Sequence, residues 1–431
     1  MREDHARIER GRAQGPWRSR LGRLGRGLRG AVERVERATP PDRERAIDGL
    51  RALAICGVVL GHWLVTALVV WADGGLRVSS SLRDMPAFAP LSWVLQMLGL
   101  FFLVGGYVAA RGLERARARG EGDAAWLRRR LVRLVRPVLL AAAVWGLLVV
   151  ALPPLGVPAA TVRSGAVLTV QPMWFIAVYV AVTALTGYAI AADARFGVLA
   201  AVPPLAFVAV VDLLRYGPWH AAVPDGIGLL NALPVWLFAY QLGVSWARGG
   251  LTRPVALTLL LFGTVGFAVL VGPLGYPASA VGIPGAGRSN SHPPSLFVPM
   301  LAMTQIGAAV LLRDRLERAL RRPILWTMVA ALNVGALTIF CWHQTALVAV
   351  SALGVLLGPV VPGLTSTALD PSWIPARLLW LPAFAAALAV LLVALRRFES
   401  PWDRPALASP WTRGLAVLLA SGYVGYLVFV A

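Results

Sequence analysis

The chain has 431 residues, of which 58% are hydrophobic and only 14% charged, and its mean hydropathy is +0.68. A soluble protein of this length needs far more charge to cover its surface, so water is not its main solvent. All 41 basic residues are arginine, and the formal net charge of +20 invites a nucleic-acid partner; the one-sided distribution of arginine described below accounts for the charge without one. The arginine usage, with abundant Ala, Gly, Val and Leu, suggests a high-GC bacterial source.

In chain order, residues 1–45 are Arg-rich, and Leu21, Leu24, Leu28, Val32 and Val35 recur at three- and four-residue spacing. This is either a basic amphipathic helix lying on an anionic leaflet or a disordered tail that enforces topology. Apolar runs then follow near 49–71, 91–110, 137–152, 172–190, 196–214, 229–247, 254–273, 296–312, 330–352, 376–395 and 411–430. Each is near the roughly 20 residues needed to cross about 30 Å of hydrocarbon. The expected fold is therefore all-α: a polytopic transmembrane helix bundle of about ten core helices plus an eleventh C-terminal span. No cleavable leader is expected, because the first apolar run is long enough to act as an anchor.

With the N-terminus placed in the cytoplasm, all but six of the 41 basic residues fall on the inner side. The exceptions are Arg77, Arg83, Arg163, Arg215, Arg288 and Arg377. This asymmetry supports an odd number of spans in a bacterial inner membrane. The loops 72–90, 274–295 and 353–375 then face outward and are long enough to shape an acceptor entrance.

Ionisable side chains deep in a span are functional candidates by default. His62 lies about thirteen residues into the first expected span, and His343 similarly far into the ninth, which starts on the same side; the two share a depth. Arg51 precedes His62 by eleven residues, which puts both on nearly one helix face, roughly 16 Å apart. That spacing suits a long ligand with a phosphate on Arg51 and its reactive end at His62, although Arg51 alone is also explained as an interfacial arginine. In RRRLVRLVRP (128–137), Arg133 and Arg136 are neighbours on a helix face beside Pro137. They either hold phosphate groups or simply mark topology. His220 and His292 fall in outer loops and read as solvated surface residues. Asp48 either caps the first helix or pairs with an arginine. Cys56 and Cys341 fall in apolar runs as small buried hydrophobes, with no disulfide framework and no Cys/His metal spacing.

DGLRALAICGVVLGHW (48–63), FFLVGGYVAAR (101–111), RLVRP (133–137), MWFIAVYV (173–180) and TIFCWHQTAL (338–347) together resemble the acyltransferase 3 membrane proteins, which O-acylate surface glycans, peptidoglycan-linked sugars, lipids and some antibiotics. The resemblance covers about residues 45–397. It implies a membrane domain over 46–397, after a tail at 1–45 and before a loop and extra span at 398–431. It also implies that Arg51 and His62 are the family's Arg and His pair, and Arg133 and Arg136 its basic pair, in donor handling and catalysis. Gly105 stands where a Ser is common in that family, and the SNSHPPSLF loop (289–297) is similar to those of actinobacterial members.

Ester formation needs a base for the acceptor hydroxyl, and a neutral imidazole suits that task. The expected mechanism has His62 as general base and Arg51, Arg133 and Arg136 on the phosphates of acyl-CoA, with acetyl-CoA or another short acyl-CoA as donor substrate. No cofactor or metal is expected to be bound. The partners are acyl-CoA, a hydroxyl-bearing glycan, lipid or secondary-metabolite acceptor, and membrane lipids. A transient acyl-histidine on His62 or His343 is an alternative. His343 either orients the acceptor, stabilises the oxyanion or only hydrogen-bonds within the bundle. Outside the enzyme class, the rival is a transporter or flippase of an anionic or glycan-type substrate. The odd span count and the absence of a visible inverted repeat argue against it.

Overall fold

The computed structural model describes residues 27, 29–283, 287–358, 360–369, 371–395 and 398. Leu21, Leu24 and Leu28 of the expected amphipathic face, and the eleventh span at 411–430, lie outside the described residues. Among the described residues, ten helices are long and apolar enough to cross a membrane. They are Arg45–Val65, Pro86–Ala118, Asp123–Ala151, Ala159–Ala184, Thr186–Tyr216, Gly226–Ala247, Arg253–Val271, Phe297–Ala319, Ala336–Leu357 and Trp373–Leu395, called here the first to tenth spans. Each coincides with one of the first ten apolar runs, and the all-helical, polytopic expectation holds.

The spans differ in how much of themselves they bury. The third, fifth, seventh and tenth bury only 11–22% of their apolar windows, and the other six bury 44–61%. Leu261, Phe262, Leu379, Val390 and Val393 stay exposed, which is stable only against hydrocarbon.

Three local structures depart from the apolar runs. The first run reaches residue 71, but its helix stops at Val65 and the chain continues as an antiparallel hairpin, Thr66–Val70 with Leu76–Ser80. Thr66, Val69 and Val70 are β-branched, and Asp73-Gly74-Gly75 supplies a turn in which Gly74 has φ 72°; both favour a hairpin over more helix. The third span starts at Asp123 rather than 137 and runs through Pro137 without a break. The ninth run is split at Gly335 into the helices Pro323–Val334 and Ala336–Gly354.

The chain divides into two compact units, Met1–Ala52 with Leu312–Val334, and Leu53–Leu311 with Gly335–Ala431. In the first, residues 29–38 form a helix, and the Glu317 carboxylate accepts from the backbone amides of Arg45 and Ala46 (3.3 and 2.6 Å). Glu317 thus satisfies the amides that open the first span, a role the sequence offered to Asp48. The Arg45 guanidinium pairs with Glu36 at 2.8 Å and lies 4.8 Å over the Trp326 ring.

In the second unit, the second span packs closely against the sixth. A Cβ built on Gly106 would collide with the Tyr240 carbonyl, and one on Gly243 with that of Leu103. Two glycines facing each other's backbone let these helices approach as small-residue membrane pairs do. Gly243→Ala is therefore expected to cost about 3 kcal/mol through forced separation of the pair. Thermal unfolding of the detergent-solubilised protein measures this, and an unchanged melting temperature would contradict the backbone contact.

Candidate active site

The first and ninth spans bring two histidines together in the second unit. His62 Nδ1 lies 2.7 Å from His343 Nε2, with the rings stacked at a centroid distance of 4.9 Å. His343 Nδ1 is in turn 2.7 Å from the Phe340 carbonyl. A carbonyl only accepts, so His343 Nδ1 carries the proton and donates it, and a neutral His343 presents the Nε2 lone pair. His62 Nδ1–H then donates to that lone pair. The remaining nitrogen, His62 Nε2, is left as an acceptor.

The surrounding bonds hold this pair in place. Trp63 Nε1 donates to the His343 carbonyl (2.9 Å), and Trp145 Nε1 to Thr345 Oγ1 (2.9 Å). Arg377, at 0% exposure, donates to the carbonyls of Trp63 (2.6 Å), Gly363 (3.0 Å) and Thr66 (2.6 Å). The first span ends at Val65, so a cation here meets carbonyls that the helix itself cannot satisfy.

His62 lines a cavity of about 140 Å³ with Phe340, Gln344, Trp174, Phe175 and Trp236, and with Ser291 and His292 from the 272–296 connection. Among the described residues, its lining contains no Arg, Asp or Glu. Two buried polar atoms of lining residues, Gln344 Oε1 and Trp236 Nε1, have no hydrogen-bond partner among the described residues. A buried group left in that condition costs about 1–3 kcal/mol.

The 272–296 connection is fastened to the helices. The buried Asp212 carboxylate accepts from Asn231 Nδ2 (3.0 Å), the Tyr276 hydroxyl (3.0 Å) and the Leu296 amide (2.6 Å). Asn231 Nδ2 also reaches the Pro294 carbonyl (3.1 Å), and Arg215 the Pro293 carbonyl (3.3 Å). Burial, with the neighbouring Asp212 charge, raises the Tyr276 pKa far above the phenol range, which keeps that hydroxyl a donor.

The basic residues of the third span form a separate feature of the same unit. Arg128, Arg129, Arg133 and Arg136 line a cleft of about 410 Å³ with Val132. Steps of four from Arg128 (Val132, Arg136) and from Arg129 (Arg133) put them on one helical face. Arg129 pairs with Glu121. Arg130 points elsewhere, over the Trp126 ring (5.6 Å) and to the Tyr179 hydroxyl (3.4 Å). Trp145, which holds Thr345, stands nine residues beyond Arg136, so the cleft ends roughly 14 Å along the helix axis from the level of the histidine pair.

Arg51 belongs to the first unit, where its Nε donates to Asn333 Oδ1 (2.5 Å) and its terminal nitrogen lies 3.5 Å from Asp48. Asp48 also takes two bonds from Arg43 (2.5 and 3.0 Å), so it pairs with arginines. Asn333 Nδ2 returns to the Asp48 carbonyl (2.8 Å). The structure thus brings His62 together with His343, and Arg133 with Arg136, and holds Arg51 in an Asp48–Asn333 frame.

Other residues correct or extend the sequence reading. His220 is exposed and bonds the Gly217 carbonyl (3.1 Å). His292 is exposed, as the sequence suggested, and is also a wall of the cavity, where partial desolvation lowers its pKa. Neither Cys56 nor Cys341 is disulfide-bonded. Among the described residues, no group of three His, Cys, Asp or Glu side chains suits a metal ion. Asn333, Gln344 and Arg377 were missed. Arg377 carried a signal, being a charge at the start of an apolar run, whereas nothing in the sequence pairs Asn333 with Arg51.

A family model described as an acyltransferase domain, Acyl_transf_3, matches residues 44–428. The chain belongs to this family. No curated protein matches it, and no solved structure does. Membership makes the chain an acyltransferase, and the ten apolar spans make it a multi-pass membrane protein. The acyltransferase match reaches into the eleventh apolar run, which lies outside the described residues.

At the Gly105 position of this acyltransferase, a Cβ would stand 2.6 Å from Tyr179 Cε2 and 3.0 Å from its hydroxyl. The Tyr179 ring fills the place a serine side chain would take. Gly105→Ser is expected to displace that ring, weaken its contact with Arg130 and cost about 2 kcal/mol. Thermal unfolding checks this; a variant as stable as wild type would mean that Tyr179 does not need the space.

Proposed function

We propose that the chain is an O-acyltransferase that moves an acetyl or other short acyl group from acyl-CoA to a hydroxyl of a glycan, lipid or small-molecule acceptor, with His62 as general base. The observation that carries this reading is the directed chain from Phe340 through His343 to His62, which leaves the Nε2 lone pair on a residue that lines the cavity. Acyl-CoA acts as substrate, and no bound cofactor takes part.

In this scheme His62 Nε2 accepts the acceptor's hydroxyl proton as its oxygen attacks the thioester carbonyl. The tetrahedral intermediate places negative charge on the former carbonyl oxygen. Trp236 lines the cavity, and its Nε1, without a partner among the described residues, is the donor proposed for that oxyanion. Collapse breaks the C–S bond, and the leaving thiolate takes the proton back from His62. His343 acts as a positioning residue, holding His62 in the tautomer that base catalysis needs.

Arg133 and Arg136 are proposed to grip the CoA phosphates in the arginine cleft, with Arg51 as a further phosphate contact on the strength of the family resemblance. The pantetheine arm is long enough, in order of magnitude, to cover the roughly 14 Å between cleft and histidine level. A cavity of about 140 Å³ has room for roughly five waters at about 30 Å³ each. That suits a short acyl end with an acceptor hydroxyl better than a long acyl chain. The arginine distribution supports a bacterial inner membrane with the N-terminus and cleft in the cytoplasm.

The test is CoA release from labelled acetyl-CoA by the purified chain in liposomes, with crude envelope extract as acceptor. His62→Ala is expected to lower release about 10²- to 10⁴-fold. His343→Ala should fall less, and His343→Gln should recover part of the loss, because a glutamine oxygen can also accept from His62. Equal release by wild type and His62→Ala would remove His62 as the base. Separately, Arg133→Ala and Arg136→Ala are each expected to raise KM for acetyl-CoA about tenfold while kcat falls little, since they remove ground-state binding. A KM unchanged in both would mean that the phosphates bind elsewhere.

A further inference from the structure

His292 is a histidine the mechanism above does not use. It sits on a connection rather than a span, yet it lines the same cavity as His62. Its ring stands edge-to-face with Trp174, centroids 6.1 Å apart, and Trp174 is also a wall of the cavity.

The connection is built to keep the ring there. His292 Nδ1 bonds Ser291 Oγ (3.0 Å), and Ser289 Oγ accepts from the His292 amide (3.1 Å) and the Ser291 amide (3.2 Å). Asn290 Nδ2 crosses to the carbonyls of Pro277 and Ser279 (2.6 and 2.8 Å). Asp212, Asn231 and Arg215 hold the following residues from the helices. Opposite the ring is Gly282, where a Cβ would lie 3.2 Å from His292 Nδ1. A loop that served only to join two spans would not need its polar side chains spent on fixing one imidazole against a cavity. Among the described residues the ring's hydrogen bond is the one at Nδ1, and Nε2 has no partner there.

We propose that His292 is an acceptor-side specificity residue: its Nε2 edge hydrogen-bonds a neutral polar group of the acceptor, next to the hydroxyl that is acylated, and so sets which acceptor presents that hydroxyl to His62. The proposal rests on the acyl-transfer reading of the cavity. The acceptor's reacting end is uncharged and hydrogen-bonding, because the cavity wall offers amide, hydroxyl, imidazole and aromatic groups and no Arg, Asp or Glu. The donor side needs no such residue, since the phosphates are assigned to the arginine cleft.

Two measurements on the full chain in liposomes test this. The first compares labelled acetyl transfer into envelope extract with acetyl-CoA hydrolysis in the absence of extract. His292→Ala should depress transfer at least tenfold more than hydrolysis, and His292→Gln, which keeps a hydrogen-bonding group at similar reach, should narrow that ratio severalfold. Gly282→Ala, which crowds the ring, should move the ratio in the same direction as His292→Ala. A loss equal in both reactions, or no loss in either, overturns the assignment.

The second measurement needs no activity. In a background with Cys56→Ala and Cys341→Ala, the pair His62→Cys and His292→Cys should be bridged by a short bis-methanethiosulfonate, and each single variant should not. An unbridged pair in a folded variant overturns the shared cavity and the proposal with it. A wild type that neither transfers nor hydrolyses, combined with a bridged pair, counts against the acyl-transfer reading and upholds the His62–His292 cavity.

Discussion

A backbone carbonyl has no proton to give, and the site's chemistry is oriented by that fact. The Phe340 carbonyl fixes the proton on His343 Nδ1, His343 fixes the proton on His62 Nδ1, and His62 Nε2 is left with its lone pair. No acidic residue is needed to set this direction. A catalytic triad uses a buried carboxylate for the same purpose; a carbonyl and a second imidazole do it here without placing another charge in the bundle, where charge is costly. The arrangement depends on the two spans staying in register. That explains why Trp63 reaches across to the His343 carbonyl and why Arg377 holds the end of the first span.

The same avoidance of unsatisfied polar groups shapes the rest of the second unit. Arg377 is buried among carbonyls that no helix could serve. Asp212 gathers an amide, a hydroxyl and a side-chain amide, and thereby turns the 272–296 connection into part of the cavity wall. The small residues of the second and sixth spans serve packing instead: with no hydrophobic effect between helices in lipid, close backbone approach supplies the contact energy. Polar satisfaction thus fixes the loops, and close packing fixes the helices.

Much of this was legible in the sequence because hydrocarbon thickness imposes a length that can be counted. All ten described spans correspond to apolar runs, and His62 and His343 were placed at a common depth by counting residues from the same side. What could not be read were features that depend on which helix neighbours which. The Arg51–Asn333 bond joins positions 282 residues apart, and Glu317 caps a helix that begins 272 residues earlier. His292 is exposed, as its place in an outer loop suggests, but that Asp212 also folds its loop onto the cavity could not be read. The hairpin at 66–80 was hidden by hydropathy, since Val69 and Val70 continue an apolar run while their β-branching ends its helix.

On the reading that the donor is acyl-CoA, the distribution of charge in the second unit would separate two tasks that a single pocket would bring into conflict. A polyanionic donor is best met by arginines in a wide cleft, and four of them line one face of the third span. Those same charges beside the reacting carbonyl would hold the ground-state phosphates there and favour the wrong docking. In the cavity only neutral groups line the wall. On the acyl-transfer reading, the oxyanion must then be met by fixed dipoles such as the Trp236 N–H, which act more strongly where water is scarce than they would in solution. Distance along the third span keeps the two environments apart, and a donor with its charge at one end and its thioester at the other is the kind of molecule that needs both.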